Sequence, residues 1–118
     1  MANSEFNLTT EHIQRQDKVS VTIFYLQGWL DAQSENNLLT AAQDAHTNGA
    51  SYIVIHMEDL SMLTSAGIRA LQKMYKLFSH PEADVETLYM KLCSAPPQVY
   101  HALSVTGFLR SVPMYENL

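Results

Sequence analysis

Cysteine is nearly absent from this chain. Cys93 is the only one, so no intramolecular disulfide forms, and a reducing compartment is the simple expectation. Glycine is scarce too. Four glycines in 118 residues leave little for a phosphate-cradling loop, and neither GxGxxG nor GxxxxGK[ST] occurs. Basic residues are outnumbered, 7 against 12 acidic ones for a net charge of −5, which argues against direct binding of nucleic acid. No apolar run is long enough to cross a bilayer, so no membrane association is expected. The stretch from Met1 to Asn7 has no charged segment followed by an apolar one. No secretion signal is therefore expected, and the cytoplasm is the expected location.

Catalytic patterns are missing as well. His12, His46, His56, His80 and His101 stand in no HExxH spacing and have no paired cysteines beside them, so neither a metal nor another cofactor is expected. His56, at the end of an apolar run, reads as a solvated or capped side chain. Glu58 and Asp59 read as solvated strand-end carboxylates without a partner group. Cys93 reads as a small buried hydrophobe. No catalytic residue emerges, and an enzyme is not expected.

What is present is strong periodicity over a length suited to one domain, residues 1–118. Phe6, Leu8 and Thr10 alternate and predict a weak first strand. Gln16-Asp17-Lys18 is a polar break, after which Val19, Val21, Ile23 and Tyr25 alternate in a β-branched and aromatic strand. So short a break predicts an antiparallel hairpin. Gly28 to Asp31 breaks the alternation and predicts a loop, with Trp29 in it. Ser34 is the expected N-cap of a helix carrying Leu38, Ala42 and Ala45, and Asn48-Gly49 is its expected stop. Tyr52-Ile53-Val54-Ile55 predicts a strand buried on both faces.

Ile68, Leu71, Tyr75 and Phe78 form the apolar stripe of a helix over about 64–79, ended by His80-Pro81. Residues 82–86 predict an acidic loop, and Leu88 to Leu92 another strand. Pro96 and Pro97 open a short helix that Gly107 ends. Val112 to Tyr115 predicts a last strand, confined to an edge or a terminus by Pro113. The order β-β-α-β-α-β-α-β predicts an α/β fold: a mainly parallel sheet with right-handed crossovers, three or more helices and one antiparallel N-terminal edge hairpin.

The most informative stretch is Asp59-Leu60-Ser61-Met62-Leu63-Thr64-Ser65-Ala66-Gly67-Ile68. It follows the apolar run and opens the most periodic helix, placing Ser65 at or near a helix N-terminus. Added negative charge is tolerated there, which makes that hydroxyl a candidate for phosphorylation. Together with Gly28-x-Leu30-Asp31, the strand Tyr52 to Ile55 preceded by Gly49, Ala95-Pro96 and Leu103 to Thr106-Gly107, this stretch resembles the STAS domain, the fold of bacterial anti-sigma factor antagonists (anti-anti-sigma factors). The resemblance covers nearly the whole chain, and residues 59–68 are its specific part.

The resemblance implies a partner-switching protein. Unphosphorylated at Ser65, it would bind an anti-sigma factor that is also a serine kinase of the histidine-kinase-like ATPase fold, and so free a sigma factor. Phosphorylated, it would let go, and a PP2C-type phosphatase would reset it. Asp31, Asp59, Ser61, Thr64, Ser65, Gly67 and Arg69 are the expected partner-binding residues. Asp31 reads equally as a turn or capping residue, and Trp29 as a partner anchor or a partly buried core residue. Gly67 is expected to permit a close approach or a tight turn.

Two positions depart from the family pattern. Thr64 stands where Asp is usual; it still caps, and it is the alternative phosphate acceptor to Ser65. Arg69 stands where a small residue, often Gly, is common. At i+4 from Ser65, it is placed to pair with a phosphate or to reshape the docking surface. The alternative readings are a STAS scaffold that binds a partner without phosphorylation, and a ligand-binding or enzymatic α/β domain with a deep polar pocket at the carboxyl ends of its strands.

Overall fold

The computed structural model describes residues 6–14, 20–50, 52–78, 90–108, 112 and 114–115. The elements are β1 (Asn7–Gln14), β2 (Ser20–Leu30), α1 (Glu35–Thr47), β3 (Tyr52–Leu63), α2 (Ser65–Phe78), β4 (Met90–Cys93), α3 (Pro97–Val105) and β5 (Met114–Tyr115). They form a five-stranded sheet in the order β1-β2-β3-β4-β5. β1 pairs antiparallel to β2, and every later pair is parallel. The expected α/β topology with its N-terminal edge hairpin is therefore present. The expected break at 16–18, the helix stop at His80-Pro81, the acidic loop 82–86, Leu88 and Pro113 lie outside the described residues.

Right-handed crossovers that always step the same way across a sheet put their helices on one face. The burial is heavier on one face, although Ile23 and Cys93 are buried on the other. Phe24, Ile55 and Leu92, paired across β2, β3 and β4, are all fully buried in the core cluster. On the opposite face Val54 is only half-buried and Lys91 is exposed. β3 is thus not buried on both faces, as its apolar run predicted: Ile53 and Ile55 point into the core, while Tyr52 and Val54 are half-covered.

Both central strands run longer than expected. β2 continues through Gly28 and Trp29 to Leu30, so Trp29 is a strand residue rather than a loop residue. β3 continues through Glu58 and Asp59 to Leu63. The alternation fails because β3 carries one extra residue between the Tyr25–His56 and Gln27–Asp59 pairs, and another between Gly28–Leu60 and Trp29–Met62. Each extra residue turns the next side chain to the other side of the sheet. The core therefore receives Ile53, Ile55 and Met57, then Leu60. Gly28, at φ +88, supplies backbone freedom beside the second irregularity.

α1 ends as its sequence predicts. Asn48 is the C-cap, Gly49 takes φ +92, and the Gly49 and Ala50 amides donate to the His46 and Ala45 carbonyls at 3.1 and 3.0 Å. That is a Schellman closure. α2 buries Ile68, Ala70, Leu71, Met74 and Phe78. α3 opens on Pro97, and Gly107 follows it at φ +78. Cys93 is buried at the end of β4, and burial pushes its thiol pKa up, which keeps it protonated and unreactive.

Candidate functional site

The end of β2, the turn into α1 and the first turn of α2 meet at Leu30. The Leu30 carbonyl accepts a hydrogen bond from the Thr64 amide at 3.1 Å and a longer one from the Thr64 hydroxyl at 3.4 Å. The same hydroxyl oxygen accepts from the Gly67 amide at 3.3 Å. Thr64 thus caps α2 through the third amide of the helix, and the Ile68 amide closes the first helical bond on the Thr64 carbonyl at 2.9 Å.

Gly67 is the point of closest approach. A Cβ there would overlap the Leu30 carbonyl oxygen and stand 2.8 Å from Leu63 Cδ1. Only a residue without a side chain lets the first turn of α2 sit this close to β2.

The turn into α1 is built by Asp31 and Ser34. Asp31 Oδ1 accepts from the Gln33 and Ser34 amides at 3.0 and 3.2 Å, and Ser34 Oγ accepts from the Asp31 amide at 2.9 Å. Asp31 and Ser34 thus hold each other's amides reciprocally, in the manner of a capping box, in the turn before α1. The Ser34 hydroxyl makes no bond to an amide of α1; it is buried and donates back to the Trp29 carbonyl at 3.0 Å. Ser34 is the N-cap of α1 by position, as expected, while the Asp31 carboxylate supplies the side-chain bonds to the amides of the preceding turn.

Ser65 is the first residue of α2 and is exposed. With Trp29, Asp31, Ala32, Gln33, Thr64 and Ala66 it lines a wide-mouthed groove of about 640 Å³ at the carboxyl ends of the two central strands. Asp31 is the one ionisable side chain in that lining, and its carboxylate already holds backbone amides. Among the described residues the groove therefore presents a hydroxyl without a free general base in its lining, on an open surface rather than in a deep polar pocket. Among the described residues no three His, Cys, Asp or Glu side chains converge as metal ligands, and no helix is long and apolar enough to cross a membrane.

Beside the groove, α2 is tied to α1 by an ion triad. Glu35 Oε2 meets Arg69 Nη2 at 3.2 Å and Oε1 meets Lys73 Nζ at 3.1 Å. The Glu35 side chain is 12% exposed, the two cations 59% and 53%. The hydrogen bond from Arg69, seconded by Lys73, holds the Glu35 carboxyl below its usual pKa.

The chain matches the model of the STAS domain over residues 12–118. It belongs to the STAS domain family. This STAS domain is 24% identical over 106 residues to the anti-sigma F factor antagonist of Paenibacillus polymyxa, a match covering 89% of this chain and 86% of that protein. Its fold is similar to the crystal structure of an anti-sigma factor antagonist from Mycobacterium paratuberculosis, with TM-score 0.74, 18% identity, and coverage of 95% and 88% of the two chains. It is also similar to SpoIIAA in two states. The unphosphorylated anti-sigma factor antagonist gives TM-score 0.69 at 15% identity, covering 93% and 87%. The phosphorylated Bacillus cell fate determinant gives 0.63 at 16%, covering 93% and 90%.

Of the residues expected at the STAS partner surface, Asp31, Thr64 and Ser65 come together on the groove. Gly67 lies behind them as the spacer, and Arg69 stands one turn further along α2. Ser61 donates its hydroxyl to the Gly28 carbonyl at 3.1 Å, staying with the β3 irregularity. Asp59 is exposed in β3 opposite Gln27. Of the two readings of His56, solvated or capped, the structure favours the second: its side chain is 14% exposed, lies 3.6 Å from a Glu58 oxygen, and tilts against the Tyr25 ring. Ala32, Gln33 and Ala66 line the groove with no signal in the sequence to find them. Glu35 was equally unreadable, because its partners lie 34 and 38 positions away.

Proposed function

We propose that this STAS domain is an anti-sigma factor antagonist of the cytoplasm, switched by phosphorylation of Ser65. Unphosphorylated, it binds an anti-sigma factor that is also a serine kinase of the histidine-kinase-like ATPase fold, and a sigma factor is released. Phosphorylated, it dissociates, and a PP2C-type phosphatase restores it. The partner surface is the groove of Trp29, Asp31, Gln33, Thr64 and Ser65.

One observation carries the reading: Ser65 is exposed on the groove wall at the first position of α2, where the one ionisable side chain of the described lining, Asp31, is already engaged with backbone amides. A helix N-terminus accepts a phosphate without unfolding, since its free amides and dipole favour negative charge. Within a docked interface the same group, carrying about −1.5 to −2 charges, faces desolvation and the nearby Asp31 carboxylate. A penalty of about 3 kcal/mol weakens a complex roughly a hundredfold. Thr64 is the poorer acceptor, because its hydroxyl is engaged by Leu30 and Gly67. The relatives named above support the antagonist role, and one of them has been solved with and without its phosphate.

The test is binding to the cognate anti-sigma factor by calorimetry. Ser65→Ala is expected to bind like the parent chain, and Ser65→Asp at least about tenfold more weakly. Equal binding by the two variants would sink the switch and favour a phosphorylation-independent scaffold.

A further inference from the structure

We propose that the Ser65 phosphate and the Glu35 carboxylate are rivals for Arg69. On phosphorylation the Arg69 guanidinium moves from Glu35 to the phosphate, while Lys73 stays on Glu35 and keeps α1 joined to α2. The inference rests on Ser65 being the modified residue, and adds a consequence peculiar to this chain.

The geometry supplies both halves of the exchange. Ser65 and Arg69 are four positions apart on α2, neighbours on one helix face. Helical side chains lean toward the N-terminus, so an arginine at i+4 covers the turn that carries Ser65. Arg69 is 59% exposed, and a long, exposed side chain changes rotamer easily. Lys73 stands two turns from Ser65, too far to follow.

The present partner is a single carboxylate shared by two cations. Arg69 bonds only its Oε2, and Lys73 takes Oε1. When Arg69 leaves, Glu35 keeps a charged partner at 3.1 Å and is not stranded. The phosphate offers three acceptor oxygens and up to twice the charge, and its geometry suits the planar guanidinium fork. The charged groups around it are the Asp31 carboxylate across the groove, Glu35 and Lys73 at the α1 contact, and Arg69 itself. Asp31 repels the phosphate, and Arg69 is the cation placed to offset that repulsion. The exchange makes the α1–α2 surface beside the groove part of the switch: phosphorylation removes an exposed cation from one spot and neutralises charge at another.

The full chain carrying phosphoserine at position 65, installed by genetic code expansion, needs no kinase. Its second phosphate pKa is read by phosphorus NMR. The α2 N-terminus acts on the phosphate in every variant, so differences between variants isolate the side chains. Arg69→Gln is expected to raise that pKa by about half a unit, the scale of an exposed charge pair. Glu35→Gln removes the rival and is expected to lower it. A titration of either variant that coincides with that of the unsubstituted phosphoprotein overturns the exchange. The partner-switch reading fails on a different measurement: the phosphoserine protein would bind the anti-sigma factor as tightly as the unmodified chain.

Discussion

An alanine at position 67 makes the close approach of α2 to β2 measurable. On an exposed helix the change from glycine to alanine is favourable, by up to about 1 kcal/mol, because alanine restricts the unfolded backbone. Here the added methyl would overlap the Leu30 carbonyl oxygen, with Leu63 Cδ1 at 2.8 Å and the Leu30 carbonyl carbon at 3.0 Å. Neither backbone atom can rotate away, so the first turn of α2 must move. Overpacking of this kind costs about 1–3 kcal/mol. The movement also stretches the Thr64 amide bond to Leu30, 3.1 Å long at present, and a bond of that type contributes about 1 kcal/mol. Set against the propensity gain, the expected net loss is about 1–3 kcal/mol. That corresponds to a fall in melting temperature of very roughly 4–12 °C for a domain of this size. Urea unfolding followed by circular dichroism should show a lower midpoint with an unchanged slope. The sign decides the matter: a midpoint equal to or above that of the parent chain refutes the close contact. Because Ser65 rides on the displaced turn, partner binding should weaken in the same variant even where the domain remains folded.

Thr64→Ala removes the α2 cap and should cost about 1 kcal/mol, with Thr64→Ser recovering most of it by calorimetric melting; equal stability of Thr64→Ala and the parent would deny the capping role. The Glu35 carboxyl is held below its usual pKa, so its contribution is fully present above the ordinary carboxylate range and is lost as pH falls through the lowered folded value. The difference in urea midpoint between the parent chain and Glu35→Gln should therefore shrink as the pH is lowered from 7 to 3. A difference that stays constant across that range would contradict the assignment.

Much of this was legible in the residues. The apolar stripe of α2 and the Asn48-Gly49 stop of α1 are local, period-bound signals, and the elements lie where those signals put them. The lengths of β2 and β3 were not legible. Two extra residues in β3 break the period of two that marks a strand, and Glu58-Asp59 looks like a loop when read alone. Ser34 is the N-cap by position, as the sequence suggests, but that its hydroxyl leaves the α1 amides unbonded was not legible, because Asp31 and Ser34 are both good capping side chains three positions apart. The site was half legible. Asp31, Thr64 and Ser65 belong to short motifs, whereas the groove and the Glu35 triad depend on elements more than thirty positions apart.

The contact at Gly67 also bears on how this chain can change by mutation. The atom that excludes a side chain at 67 is a carbonyl oxygen of the main chain, and every amino acid put in place of Leu30 brings the same oxygen. Trimming Leu63 would clear one obstacle and leave the other. A genetic screen for second-site suppressors of Gly67→Ala should therefore return few or no substitutions at position 30. Recovery is expected instead from stabilising changes elsewhere in the core, or from reversion to glycine.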